Sequence, residues 1–273
     1  DTVFNTTGIG SFTHRKSPEM LAPIIIVIDA LTFWNFLVIG LGILLAGIVR
    51  GFVGFGASLI IVMAVSVTLG PHSAVAIATL SGLPSLLQLL PIAIQKAEKT
   101  FVIPFGVAAM MAAPIGTLIL VNTDPSIMKM AISLAVVCMV YVLYKDIKIS
   151  GHSNITFLFG IGVGAGVIQG SGGPPAVVVA LSKPGTTEQQ RANVIGAVTA
   201  LGICGVIPLW YHSLFTLQVI IISVLFLPVY VGATWLGNRF FLKYGRSYFR
   251  NFALFILIFI SVTTFIIAIS NYL

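Results

Sequence analysis

The sequence predicts an all-α polytopic membrane protein built from two inverted repeats, each a glycine-broken helical hairpin followed by three transmembrane helices. Three observations predict this fold. Of the 273 residues, 58% are hydrophobic and only 8% are charged, which is about a third of the charged fraction of a soluble domain. Several apolar runs reach the roughly 20 residues that a helix needs to cross a bilayer. Two similar glycine-rich segments interrupt the apolar sequence, one in each half of the chain.

The apolar runs predict six spanning helices outside the glycine-rich segments. One run tolerates Pro84 and Pro91, and another holds Lys129 near an end, from which the ammonium group can reach the interface. The predicted spans are residues 70–95, 101–121, 126–144, 192–211, 216–238 and 252–271.

The glycine-rich segments predict an internal duplication. A shift of 119 residues aligns AGIVRGFVGFGA (46–57) with AGVIQGSGGPPA (165–176), with five of the twelve positions identical and Arg50 opposite Gln169. A short apolar piece and three long apolar runs follow each segment, as expected for a transporter with internal repeats. The predicted units are an N-terminal tail with an extra helix (1–32), a first repeat (33–147) and a second repeat (148–273).

Each glycine-rich segment divides an apolar region into two short arms, which in the second half are residues 155–168 and 176–182. The arms form either one broken span or a hairpin that enters and leaves on the same side. Hairpins place the basic loops on one face of the membrane, whereas broken spans divide them between both faces. The positive-inside rule therefore favours hairpins, with the basic loops cytoplasmic and the N-terminus outside. One hairpin plus three crossings inverts the second repeat relative to the first. The basic loops hold Lys96, Lys99, Lys145, Lys148, Lys183, Arg191, Arg239, Lys243, Arg246 and Arg250.

The two breaks predict the binding site, because non-helical backbone in a membrane is tolerated only where it lines a cavity or is buried in protein. Free N–H groups at a helix start, together with the helix dipole, favour an anion. Arg50 is a deep charge that needs a partner, either a transported anion or carbonyl groups of the unwound backbone. The predicted substrate-binding residues are Arg50, Gly51, Phe52, Gly54, Phe55, Gly56, Gln169, Gly170, Ser171, Gly172, Gly173, Pro174 and Asn193.

Structural roles compete with this interpretation. Gly162, Gly166 and Gly170 have the small-xxx-small spacing of packed membrane helices. Gln169 and Ser171 are also suited to satisfying backbone groups at the break, and Arg50 to binding carbonyl groups.

Other classes of function lack their motifs. The histidines and cysteines show no metal-ligand spacing, and GIGVGA (160–165) lies in an apolar arm rather than in a βαβ unit. We therefore expect no enzyme activity, no cofactor, no metal and no nucleic-acid partner. The expected partners are the lipid bilayer and a small anion, and the oligomeric state is left open.

The glycine motifs resemble those of the TauE/SafE family, the sulfite exporters and 4-toluenesulfonate uptake permeases, over roughly residues 35–268. The matching positions are Gly47, Gly51, Gly54, Gly56, Gly166, Gly170, Gly172, Gly173 and Pro174. The resemblance implies secondary transport of sulfite, sulfonates or sulfinates across a bacterial-type cytoplasmic (inner) membrane, with the substrate bound at the midplane between the breaks. A channel-like permease for small inorganic anions is the alternative.

Two further residue roles come with this resemblance. Phe52 and Phe55 stand where family members often carry glycine, and we expect them to contact the carbon part of the substrate. Arg191 resembles a recurrent basic residue of the family, which implies attraction of anions at the cytoplasmic mouth.

Overall fold

The computed structural model describes residues 32–123 and 185–270, together with Tyr141, Gly160, Val163, Val177 and residues 179–181. This part of the chain is helical and contains no strand. Its helices are α1 (Phe33–Val53), α2 (Ala57–Leu69), α3 (Pro71–Lys96), α4 (Lys99–Asn122), α5 (Thr187–Tyr211) and α6 (Leu217–Ser270).

Five segments of these helices are long and apolar enough to cross a membrane. They contain the span predicted over residues 192–211 and nearly all of the spans predicted over 70–95, 101–121 and 216–238. The predicted span over 126–144 and the extra helix over 20–32 lie almost entirely outside the described residues. The five segments are Phe33–Val53, Pro71–Lys96, Lys99–Ile119, Thr187–Tyr211 and Leu217–Gly245.

The basic loop expected between the last two spans is instead helical, so this prediction was wrong. Helix α6 runs without interruption for 54 residues, through Arg239 and Lys243. The segment between the two apolar runs contains no proline, and its basic and aromatic residues are compatible with a helical backbone. At 1.5 Å per residue α6 is about 80 Å long, well over the roughly 30 Å hydrocarbon core.

The first glycine-rich segment separates α1 from α2. Helix α1 ends at Val53 and α2 begins at Ala57, with Gly54 at φ 93° and Gly56 at φ 84°. Both angles lie in the left-handed region, which only glycine adopts without strain. A Cβ atom added to Gly42 of α1 would collide with the Cβ atom of Ala64 of α2. The two helices therefore run side by side from the break.

Glycines also bring α1 into close contact with α6. A Cβ atom at Gly47 would lie 2.6 Å from the Cβ atom of Ala233, and one at Gly51 would collide with the carbonyl oxygen of Thr234. From the other side, a Cβ atom at Gly237 would collide with the carbonyl oxygen of Ile48. This is the small-residue packing that lets two membrane helices approach closely.

Candidate functional site

A small cavity lies where the break between α1 and α2 meets helices α3, α5 and α6. Its volume is about 60 Å³, enough for about four water molecules or one small ion. The lining residues are Arg50, Gly56, Ala57, Ser58, Ala78, Thr79, Gly82, Ser85, Leu86, Val198, Leu201, Gly202, Gly205 and Tyr230.

Arg50 brings a positive charge to this cavity. Its side chain is 3% exposed, and its Nη1 atom donates a hydrogen bond to the carbonyl oxygen of Gly54 at 2.6 Å. The Nη2 atom is buried and has no hydrogen-bond partner among the described residues. None of the described residues that line the cavity carries a carboxylate. Arg50 therefore has one donor group free for a ligand.

The start of α2 lies beside Arg50. Gly56 precedes the helix and has no side chain to cap it, and Ala57 and Ser58 line the cavity. The first N–H groups of an α-helix have no partner within the helix, and the helix dipole makes this end attractive to anions. The positive end of α2 and the Arg50 guanidinium thus border the same small space.

The rest of the lining is polar on one side and apolar on the other. On α3, the Thr79 hydroxyl donates to the carbonyl oxygen of Val75 at 2.9 Å, and the Ser85 hydroxyl donates to that of Gly82 at 2.8 Å. Helix α6 contributes the Tyr230 side chain to this lining. Helix α5 contributes only apolar residues to the lining: Val198, Leu201, Gly202 and Gly205.

A family model described as "Sulfite exporter TauE/SafE" matches residues 39–264 of this chain, most of its length. The chain belongs to the TauE/SafE family. No curated protein and no solved structure matches it significantly. The family consists of membrane transporters of sulfur anions, not enzymes. This TauE/SafE protein is accordingly a multi-pass membrane protein in contact with lipid.

Of the predicted substrate-binding residues that the structure describes, Arg50 and Gly56 line the cavity. Gly51 lies in the contact between α1 and α6 described above, and Gly54 supplies the carbonyl group that binds Arg50. Phe52 packs against the rings of Phe241 and Phe252, with centroids 5.9 and 4.7 Å away. Phe52 and Phe241 are buried in an apolar cluster, Phe252 is exposed, and none of the three lines the cavity.

The side chain of Asn193, another predicted binding residue, contacts the backbone of Glu98. Its side chain is 1% exposed, and its Oδ1 atom accepts a hydrogen bond of 2.7 Å from the N–H group of Glu98. Glu98 immediately precedes α4. Asn193 thus ties the start of α4 to α5 and does not line the cavity.

The other predicted residues, Gln169, Gly170, Ser171, Gly172, Gly173 and Pro174, lie outside the described residues. The nearest described residues that follow them are Val177, Val179 and Ala180. All three are buried in one apolar cluster that also contains Phe52 and Phe55. The chain that follows the second glycine-rich segment therefore packs close to the first break.

Arg191 does not occupy an open mouth, contrary to what the resemblance implied. It is 2% exposed, and its Nε and Nη2 atoms donate to the carbonyl oxygens of Phe52 and Gly51 at 3.0 and 2.5 Å. Its Nη2 atom also contacts Oδ1 of Asn238 at 2.8 Å, and the guanidinium lies 4.0 Å from the centroid of the Phe241 ring. The last turn of α1 leaves carbonyl groups without helical partners, and Arg191 satisfies two of them.

Polar contacts join two of the segments that were predicted to be cytoplasmic. The Lys96 ammonium group binds the Glu188 carboxylate at 2.5 Å, and the Gln189 amide donates to the Glu98 carboxylate at 3.2 Å. These contacts bring the turn between α3 and α4 to the start of α5.

Several lining residues were not predicted from the sequence, among them Gly82, Ser85, Gly202 and Tyr230. The 119-residue shift contains a usable signal for some of them. Applied to Thr79, Gly82 and Leu86 of α3, it gives Val198, Leu201 and Gly205 of α5, and all six residues line the cavity. The two members of each pair differ in residue type, so residue identity does not reveal this symmetry.

Proposed function

We propose that this TauE/SafE protein is a secondary carrier for a small sulfur-containing anion such as sulfite, a sulfonate or a sulfinate, bound in the Arg50 cavity. The observation that carries the proposal is the buried Nη2 atom of Arg50, which lacks a hydrogen-bond partner among the described residues and borders a cavity at the start of α2.

The electrostatics of the cavity suit an oxyanion. A charged side chain buried in a membrane protein without a counter-ion is costly. An oxyanion would offset this cost by accepting hydrogen bonds from Arg50 Nη2 and from the first N–H groups of α2. Charge-assisted hydrogen bonds of this kind are stronger than neutral ones.

The carrier mechanism rests on two inverted repeats, comprising residues 33–147 and 148–273. Three observations support them: α1 and α2 lie side by side as a hairpin would, the cavity lining is related by the 119-residue shift, and Val177 packs in one cluster with Phe55. In transporters with inverted repeats the substrate binds between the repeats near the midplane, and the two halves move alternately around it.

Gln169 and the segment Gly170–Pro174 complete the site in this proposal, opposite Arg50–Gly56. The basic segments face the cytoplasm, the N-terminus lies outside, and the protein resides in an inner membrane. The contact between Lys96 and Glu188 supports the shared face, because it joins two of the basic segments at one end of the helices.

Substitution of Arg50 tests the site. In Arg50→Gln we expect sulfite affinity to fall at least about tenfold, because the charged donor is lost. Isothermal titration and uptake into proteoliposomes measure this loss. The matched control is Arg239→Gln, since Arg239 is an exposed arginine stacked on Trp235 at 4.4 Å, away from the cavity. A folded Arg50→Gln protein that binds sulfite as tightly as the wild type does would refute the proposed site.

Two further measurements test the second half of the site and the transport mode. Gln169→Ala should weaken binding of the same anions if the two glycine-rich segments share the substrate. Counterflow in proteoliposomes distinguishes a carrier from a pore, because only a carrier accelerates uptake when substrate is present on the opposite side. Uptake without such exchange would favour the channel-like alternative.

A further inference from the structure

Gly82 of α3 borders the same cavity as Arg50, yet the space beside it is open. A Cβ atom added to Gly82 has no heavy atom of the described residues within 4 Å. A Cβ atom added to Gly202, on the opposite helix, would lie 2.8 Å from Cδ1 of Leu86. Leu86 therefore fills the space at Gly202, whereas nothing in the described structure fills the space at Gly82.

The glycine at position 82 is not explained by helix stability or by packing. Glycine is less favourable than alanine inside a helix, and Gly82 lies well within α3 (Pro71–Lys96). At the glycines of the contact between α1 and α6, a backbone or side-chain group of the neighbouring helix lies close by, but no atom of the described residues lies within 4 Å of a Cβ atom added to Gly82. The open space that it leaves belongs to the cavity.

The chemistry around this space indicates what it would hold. Arg50 and the start of α2 would bind the oxygen atoms of an anion, whereas Leu86, Val198 and Leu201 offer an apolar surface. Gly82 lies one helical turn from Leu86, on the same face of α3. An organosulfur anion has one substituent that is not oxygen, and an apolar surface suits a carbon group better than an oxygen atom.

We propose that Gly82 sets the size of the carbon substituent that an organosulfur anion can carry into the cavity. This inference rests on the proposed function of the Arg50 cavity. A methyl group is about as large as a water molecule, so the side chain of alanine would occupy a substantial share of a cavity of about 60 Å³. An oxyanion without a carbon group would still fit.

Isothermal titration of the full-length protein with sulfite and with ethanesulfonate tests this inference, using the wild type, Gly82→Ala and Gly232→Ala. We expect Gly82→Ala to weaken ethanesulfonate binding at least about tenfold, the usual discrimination for one carbon group in a tight pocket. Its affinity for sulfite should stay within about twofold of the wild-type value. Gly232→Ala is the matched control, because a Cβ atom at Gly232 of α6 also meets no atom of the described residues within 4 Å and Gly232 does not line the cavity.

The possible results separate this inference from the proposed function. Two results would overturn the role of Gly82 while the site stands, provided that sulfite binding depends on Arg50. In the first, ethanesulfonate does not bind the wild type. In the second, Gly82→Ala weakens the binding of both anions equally. If neither anion binds the wild type, the proposed function itself fails. Thermal unfolding of each variant completes the test. If the Gly82→Ala protein did not fold, the added methyl group would have no room, and the space beside Gly82 would not be open.

Discussion

The guanidinium group of Arg191 lies against the last turn of α1, where its Nη2 atom donates a hydrogen bond to the carbonyl oxygen of Gly51 at 2.5 Å. The two residues are 140 positions apart in the chain. Gly51 also contacts the backbone of α6 at Thr234. The end of α1 is thus held by α5 through a cation and by α6 through close backbone packing, immediately before the break that borders the cavity.

Arg191→Gln should destabilise the protein. The substitution removes the charge that satisfies the carbonyl groups of Gly51 and Phe52, and hydrogen bonds from charged donors contribute more than neutral ones. We expect a loss of about 2–4 kcal/mol, seen as a lower thermal-unfolding midpoint in detergent. Arg239→Gln, at an exposed arginine, is the control and should leave the midpoint nearly unchanged. An equal response of both variants would contradict the structural role of Arg191.

Gly51→Ala should separate α1 from α6. An added Cβ atom would collide with the carbonyl oxygen of Thr234, a backbone atom that cannot rotate away. Overpacking of this kind costs about 1–3 kcal/mol, which thermal unfolding in detergent would reveal. Gly232→Ala should be neutral, because Gly232 lies on α6 and no atom of the described residues is within 4 Å of an added Cβ atom. A Gly51→Ala protein as stable as the wild type would show that the two helices do not approach so closely.

The left-handed glycines predict a graded series of substitutions. Gly70→Ala introduces strain only, since Gly70 has φ 80° and no atom of the described residues lies within 4 Å of an added Cβ atom. Gly54→Ala adds a clash to the strain, because its Cβ atom would lie 2.7 Å from Cγ1 of Ile195. We expect Gly70→Ala to cost about 1–3 kcal/mol and Gly54→Ala, which adds a clash, to cost more. Thermal unfolding ranks them, and the reverse order would contradict the geometry of the break.

Asn193→Ala distinguishes a structural from a substrate-binding role. Its Oδ1 atom accepts the N–H group of Glu98 at the start of α4, and loss of a helix-capping acceptor costs about 1 kcal/mol. We therefore expect a modest drop in the unfolding midpoint and sulfite affinity within about twofold of the wild-type value. A large loss of sulfite affinity with an unchanged unfolding midpoint would instead indicate that Asn193 binds the substrate.

The sequence alone was sufficient to predict the membrane class and most of the described helices, since both follow from local composition. A run of about 20 apolar residues is stable across a bilayer whatever its neighbours are. Gly54 and Gly56 likewise marked the end of α1, because a left-handed backbone needs glycine wherever it occurs. The family could be recognised for the same reason, from glycines at fixed spacing.

Local patterns failed where a role depends on a partner distant in the chain. Arg50 and Arg191 are both arginines near an apolar segment, and nothing in their immediate sequence separates them. Packing gives Arg191 two carbonyl groups of α1 and the amide of Asn238, whereas one nitrogen atom of Arg50 has no hydrogen-bond partner among the described residues and borders a cavity. The two arginines therefore differ in role because the tertiary structure gives them different neighbours.

The same physical reason governs the cavity wall. The sequence determined that a break would occur at Gly54–Gly56, but Tyr230, Gly82 and Leu201 join it only because α3, α5 and α6 pack around it. Backbone conformation and lipid solubility are properties of short segments and can be predicted from the chain alone. Which side chains border a shared space depends on how distant helices pack, and only the tertiary structure decided that.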